Sequence, residues 1–242
     1  MTLEEMHLQF KIGVDKTDSL NSANFTTAEV DIYLSDAQEQ FIEQRAYGNN
    51  FKKESVEETQ QRVKNLQSIT YNTAITSFTS NSNNKPNGVF IDLPADYRHA
   101  LEEEVEVTYT DCNGISKSSR IPVIALSHDK YNKTIANPFS KPNINKVYRL
   151  PFGRFGGTEH FELISGTGFA ITAYYLRYLK NPKKINLANR SLPVPSLTSA
   201  TSVGELADEA YREIIRMAVR NALGDIESPR TQESMQRITE IE

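Results

Sequence analysis

Four hydroxyl–carboxylate pairs, each three residues apart, mark where helices can start and where they cannot. Thr2 with Glu5, Thr26 with Glu29, Ser55 with Glu58 and Ser202 with Glu205 match the capping box, in which each side chain satisfies an orphan amide of the first helical turn. All four lie toward the ends of the 242-residue chain. The first predicts a helix carrying Leu3, Met6, Phe10 and Val14 on one face, and the second a helix carrying Val30, Leu34, Ala37 and Phe41, with Gly48 as its stop. A third helix over 55–70 carries only Val56, Val63, Leu66 and Ile69 on a polar rod. The fourth pair predicts a helix carrying Leu206, Ala210, Ile214, Met217 and Ala218, ending near Gly224 or before Pro229, with a short helix over 231–241 behind it. Such thin apolar stripes bury one seam and leave the rest wet or open to a neighbour.

Between these ends the period changes from helical to alternating. Residues 71–78 are rich in β-branched and aromatic side chains, and 104–110 alternate charged or polar with apolar residues, as a half-buried strand does. Asn113-Gly114 predicts a hairpin turn with both central residues at positive φ, the partner strand returning over 115–126 with an interruption at Pro122. A strand pair is expected at 146–150 and 160–164, and 169–179 is the most apolar strand candidate. Strands in a run, without strict alternation with helices, predict an α+β fold. Its terminal helices pack together around a large strand-rich insertion, an antiparallel sheet or sandwich. The expected divisions are a helical region 1–70, a strand-rich domain 71–187, a Pro- and Ser-rich linker 188–202, and a helical region 203–242 that packs on the first.

Charge follows a similar division. Residues 111–190 hold 13 Lys and Arg against 4 Asp and Glu, whereas residues 1–60 hold 5 against 12, under a formal total of −4. A chain segregated by sign suggests a surface that meets opposite charge, on another copy or on a polyanion. No run approaches the roughly 18 apolar residues of a membrane helix. The acidic start Met1-Thr2-Leu3-Glu4-Glu5 lacks the pattern of a signal peptide. The single cysteine, Cys112, excludes an internal disulfide framework and fits synthesis in a reducing cytoplasm.

No catalytic constellation emerges. His7, His99, His128 and His160 are scattered, and Cys112 has no histidine beside it. Glu102-Glu103-Glu104 with Glu106 reads as the polar face of a strand more readily than as a cation site. The Gly153–Gly157 and Ser165–Gly168 stretches lack the remainder of any phosphate, dinucleotide or nucleophile motif. No enzyme activity, cofactor or metal is expected. Lys130, Lys133, Lys141, Lys146, Arg149 and Arg154 interleave with Tyr131, Phe139, Tyr148, Phe152 and Phe155, a pattern that can track a nucleic-acid strand, so a nucleic-acid-binding module is the alternative reading.

Several segments carry a resemblance. Phe90-Ile91-Asp92-Leu93-Pro94-Ala95-Asp96-Tyr97-Arg98 resembles the Leu-Pro-x-Asp-Tyr/Phe segment of neck and tail-adaptor proteins of tailed bacteriophages. Asn137-Pro138-Phe139-Ser140-Lys141-Pro142-Asn143, the stretch from Tyr174 to Ile185, and the helix from Glu205 to Val219 are similar to the ring proteins of short-tailed, crAss-like phages. The likeness spans about residues 86–228. It implies a structural virion protein of the head–tail junction or tail, made in the host cytoplasm, that forms a ring of about a dozen copies. It further implies contact with the portal and other neck or tail proteins, non-specific proximity to packaged DNA, and no membrane. In such a ring the basic strand block of one copy is expected against acidic helices of the next. The candidate subunit-interface residues are Tyr174, Tyr175, Tyr178, Lys183 and Lys184.

Overall fold

The first two capping boxes form as their spacing predicts. In the computed structural model, which describes residues 1–17, 25–46, 64–80, 85–155, 158–187 and 203–225, the Thr2 amide donates to Glu5 Oε2 at 2.9 Å and the Glu5 amide to Thr2 Oγ1 at 3.2 Å. They open α1 (Leu3–Thr17). Thr26 and Glu29 repeat the exchange at 2.7 and 3.3 Å and open α2 (Thr27–Ala46). The Thr26 hydrogen bonds hold the Glu29 carboxyl below its ordinary range. The Ser55–Glu58 pair, Gly48, the linker and the helix expected over 231–241 lie outside the described residues.

The chain divides into two compact units, Met1–Ile69 with Pro182–Glu242, and Thr70–Asn181. In the first, α1 and α2 both pack on the last described helix, Asp208–Asp225, while Leu3, Met6, Phe10, Val30, Leu34, Phe41, Ile214 and Ala218 are buried. Arg45 Nη2 reaches both carboxylate oxygens of Glu213, at 2.7 and 2.8 Å. The terminal helices therefore come together, as the fold class requires.

That last helix starts later than its expected cap. Glu205 stands outside it and accepts the Lys183 backbone amide at 3.3 Å, while the Leu206 amide donates to the Tyr211 hydroxyl at 3.0 Å. The carboxylate that would complete the cap is thus engaged by the chain entering from residue 182.

The second unit is one curled sheet of seven described strands: β1 (Thr70–Ile75), β2 (Gly88–Asp92), β3 (Tyr97–Thr110), β4 (Ser116–Ala125), β5 (Val147–Phe155), β6 (Thr158–Ile164) and β7 (Phe169–Lys180). Their order is β1-β7-β3-β4-β5-β6-β2. Every pairing is antiparallel except β4 with β5. Ile91, Val105, Ile121, Val147, Leu163 and Leu176, from six different strands, share one core, so the sheet folds over itself around them.

β4 is the strand that changes partners. Residues up to Pro122 register with β3, and Val123–Ala125 register with β5. Proline does not interrupt the strand as the sequence predicts; lacking an N–H, it sits where the ladder changes sides. Because parallel strands need a crossover, the chain inserts a helix, α3 (His128–Ala136), that the sequence reading missed. Its Tyr131 and Ile135, four residues apart, join Leu126, Tyr148, Leu150 and Ile164 in a second small core. That spacing was the available signal, in a segment too short for a full amphipathic pattern.

The β3–β4 turn also differs from expectation. Gly114 alone takes positive φ, +76°, and its amide donates to the Asp111 carbonyl at 2.8 Å. The centre of the turn is therefore Cys112-Asn113, closed by Gly114, and Asp111–Ile115 form the loop.

Candidate assembly surface

Alternation along β3 and β7 sorts the acidic run and the tyrosines onto two faces. Inward, Tyr174 is fully buried and donates to Glu103 Oε2 at 3.0 Å. Arg149 Nε lies 2.8 Å from the same carboxylate oxygen, and its guanidinium sits 4.1 Å from the Phe161 ring centroid. Arg149 Nε makes no aligned hydrogen bond, so its contact with Glu103 is an ion pair at close range. Burial pushes the Glu103 carboxyl up against the opposing pull of Arg149 and Tyr174. Burial, and then the Glu103 charge, push the Tyr174 hydroxyl up as well. Burial, and then Arg149, push His99 down. Tyr178 is buried nearby and donates to Asp96 Oδ1 at 3.0 Å.

Outward, Tyr175 is half-buried beneath Arg120, whose guanidinium lies 3.8 Å from its ring centroid, and its hydroxyl donates to Glu106 Oε2 at 3.0 Å. Arg177 Nη1 pairs with Glu102 at 2.8 Å. Glu102, Glu103 and Glu106 are therefore strand residues held by Arg or Tyr partners. Glu102 and Glu106 lie on the outer face, as a solvent-facing strand run expects, whereas Glu103 turns inward and departs from that expectation. No cluster of metal-ligating side chains occurs among the described residues.

Lys183 and Lys184 are both exposed, in the extended segment that follows β7. Lys183 Nζ is 3.6 Å from Glu205 Oε1. Three polar residues of α2, at positions i, i+4 and i+7, hold that segment. Asp31 accepts the Leu187 amide at 3.1 Å, Ser35 donates to the Ile185 carbonyl at 3.1 Å, and Gln38 donates to the Lys183 carbonyl at 3.0 Å. His7 Nε2 meets the other Asp31 oxygen at 2.9 Å. The sequence reading missed this docking strip, although three polar residues bordering Val30, Leu34, Ala37 and Phe41 were its visible trace.

Of the five candidate interface residues, the structure thus puts Tyr174 and Tyr178 in the subunit core and leaves Tyr175, Lys183 and Lys184 in reach of solvent. The other charged and polar groups of note are ordinary. Cys112 is exposed at a hairpin tip, His160 pairs with Asp92 at 2.8 Å, Gly153 (φ +99°) sits inside β5 where its register with β6 shifts, and Gly168 (φ +93°) lies in the β6–β7 turn. No described helix is long and apolar enough to cross a membrane.

Among the described residues the most exposed large hydrophobic side chain is Phe139, 90% accessible. It lies in the loop after α3, with exposed Lys130, Lys133 and Lys141 on the helix and loop around it. On α2, Glu29, Ile32, Asp36, Glu39 and Glu43 are exposed at three- and four-residue spacing, so they share one outward stripe. The described residues thus include an acidic stripe on α2 and exposed lysines on α3 and the loop after it.

Known proteins give these surfaces a context. Over 135 residues the chain is 27% identical to "Ring protein 4/5" of Bacteroides phage crAss001, a match covering 54% of this chain and about half (52%) of that protein's length. A family model described as phage tail ring protein 3/4 matches residues 1–234. With that match over nearly its whole length, the chain belongs to the phage tail ring protein 3/4 family, structural components of the virion.

Proposed function

We propose that this protein forms a closed ring at the phage neck or upper tail, joins head to tail there, and lines the conduit through which DNA passes. Membership of a tail ring family carries the reading. In a cyclic ring each subunit offers one surface to one neighbour and a different surface to the other. Opposite charge on the two surfaces fixes orientation and disfavours wrong pairings. The acidic stripe on α2 and the basic surface of α3 and its loop suit those two roles. Half-buried Tyr175 and exposed Lys183 and Lys184 remain proposed contact residues, with Tyr174 and Tyr178 stiffening the strand that carries Tyr175. The protein works by assembly and makes or breaks no bond.

Imaging of the purified chain, alone and mixed with its portal, tests this reading. Closed rings of uniform diameter are expected in at least one condition, and monomers in both would contradict it. A second reading, nucleic-acid binding, draws on exposed Lys130, Lys133 and Lys141 beside Phe139. It requires tight binding by the isolated monomer that weakens steeply with salt, a property that ring formation does not need.

A further inference from the structure

Exposing a phenylalanine on a floppy loop is unremarkable, but Phe139 is held by a rigid one. Asn137 bends the chain there: its Oδ1 accepts the Phe139 amide at 3.1 Å, and its carbonyl accepts the Ser140 and Lys141 amides at 3.0 and 3.1 Å. Pro138 fixes one backbone angle inside that turn. Farther along, the Tyr148 hydroxyl donates to the Ser140 carbonyl at 2.6 Å and ties the loop to β5. The β6–β7 turn braces the far side, where a Cβ on Gly166 would lie 2.6 Å from the Pro142 carbonyl oxygen; only glycine allows that approach. An aromatic ring presented on a fixed loop loses little freedom on binding, which is how interface anchors behave.

We infer that Phe139 is the anchor by which one copy grips the next, seating on Ile32 within the acidic stripe of the neighbour's α2. The inference rests on the ring reading and names its contact. The two surfaces match in kind. Phe139 lies just after α3, which carries exposed Lys130 and Lys133, and exposed Lys141 comes two residues after it, while Ile32, 37% exposed, shares one helical stripe with exposed Glu29, Asp36 and Glu39. On the helix those positions span about 15 Å, enough for one ring flanked by ion pairs. The contact is heterologous, since donor and acceptor surfaces differ, and a contact of that type propagates around a ring.

The test places the photo-cross-linker p-benzoylphenylalanine at position 139 of the full chain, under conditions in which the wild type assembles. Cross-links to residues 27–46 of another copy are expected. Phe139→Ala should weaken assembly about 10- to 100-fold with an unchanged circular dichroism spectrum. Lys141→Glu should weaken it too and be rescued in part by Asp36→Lys. Cross-links elsewhere, or none, or full assembly by Phe139→Ala, would overturn the inference while rings formed by the wild type left the ring reading standing. Cross-links from Phe139 to a different tail protein would likewise assign this surface to that partner and overturn it. A wild type that forms no ring even with its portal would strike both.

Discussion

Arg149 and Glu103 face each other inside the strand unit at 2.8 Å, with side chains only 17% and 10% exposed. Removing one partner of a buried pair leaves a charge without compensation. Glu103→Ala or Arg149→Ala should each therefore cost about 3–5 kcal/mol, and replacing both with apolar residues of similar volume should cost much less. Chemical denaturation of the two single variants and the double variant checks this.

Asp31 plays a comparable part in the helical unit. Its two carboxylate oxygens serve His7 and the Leu187 amide, and it is fully buried. Asp31→Ala should destabilise the protein by about 2–4 kcal/mol, because it strands the buried His7 ring and the part-buried Leu187 amide. Asp31→Asn keeps one acceptor and should cost less. Thermal melts of both variants separate these outcomes.

Alkaline pH should loosen the fold through its tyrosines. Burial first, and hydrogen bonds to Asp225 and Asp96 next, push Tyr33 and Tyr178 up to about 12; burial raises Tyr211 to about 12 too. Each raised value exceeds the ordinary one near 10, so the folded state holds its protons more tightly. Their stabilising contribution is complete below about pH 10 and is lost as pH rises toward 12. Tyrosinate absorbance should show a late-titrating group among the 11 tyrosines, with unfolding in the same window. Full ionisation near pH 10 in a still-folded protein would contradict this.

Charge reversal at Lys183 and Lys184 should weaken assembly with little effect on the monomer. The Lys183 side chain is 72% exposed and its Nζ lies 3.6 Å from Glu205, a contact worth at most about 1 kcal/mol. Sedimentation of Lys183→Glu with Lys184→Glu, at low and high salt, reads the change. Unchanged assembly would remove both lysines from the interface.

Local rules made much of this fold legible. Thr2–Glu5 and Thr26–Glu29 cap helices because the cap is a short-range geometry, and the β3 alternation follows from strand pleating. Rules failed where a distant partner intervened. Glu205 abandons a cap for the backbone of Lys183, and Pro122 remains in a strand because the ladder changes sides beside it. Interface candidates were the least legible part. Three tyrosines within five residues of one strand look alike in sequence, yet the pleat buries Tyr174 and Tyr178 and turns Tyr175 outward. Phe139 was visible only as one aromatic residue among several, because nothing local reveals that its loop is braced by Tyr148 and Gly166.

Copy number in the virion tests the central claim most directly. Quantitative mass spectrometry of purified phage particles, normalised to the major capsid protein, should return roughly a dozen copies, or a small multiple, as closed cyclic rings require. Hundreds of copies per particle, or none, would contradict the ring.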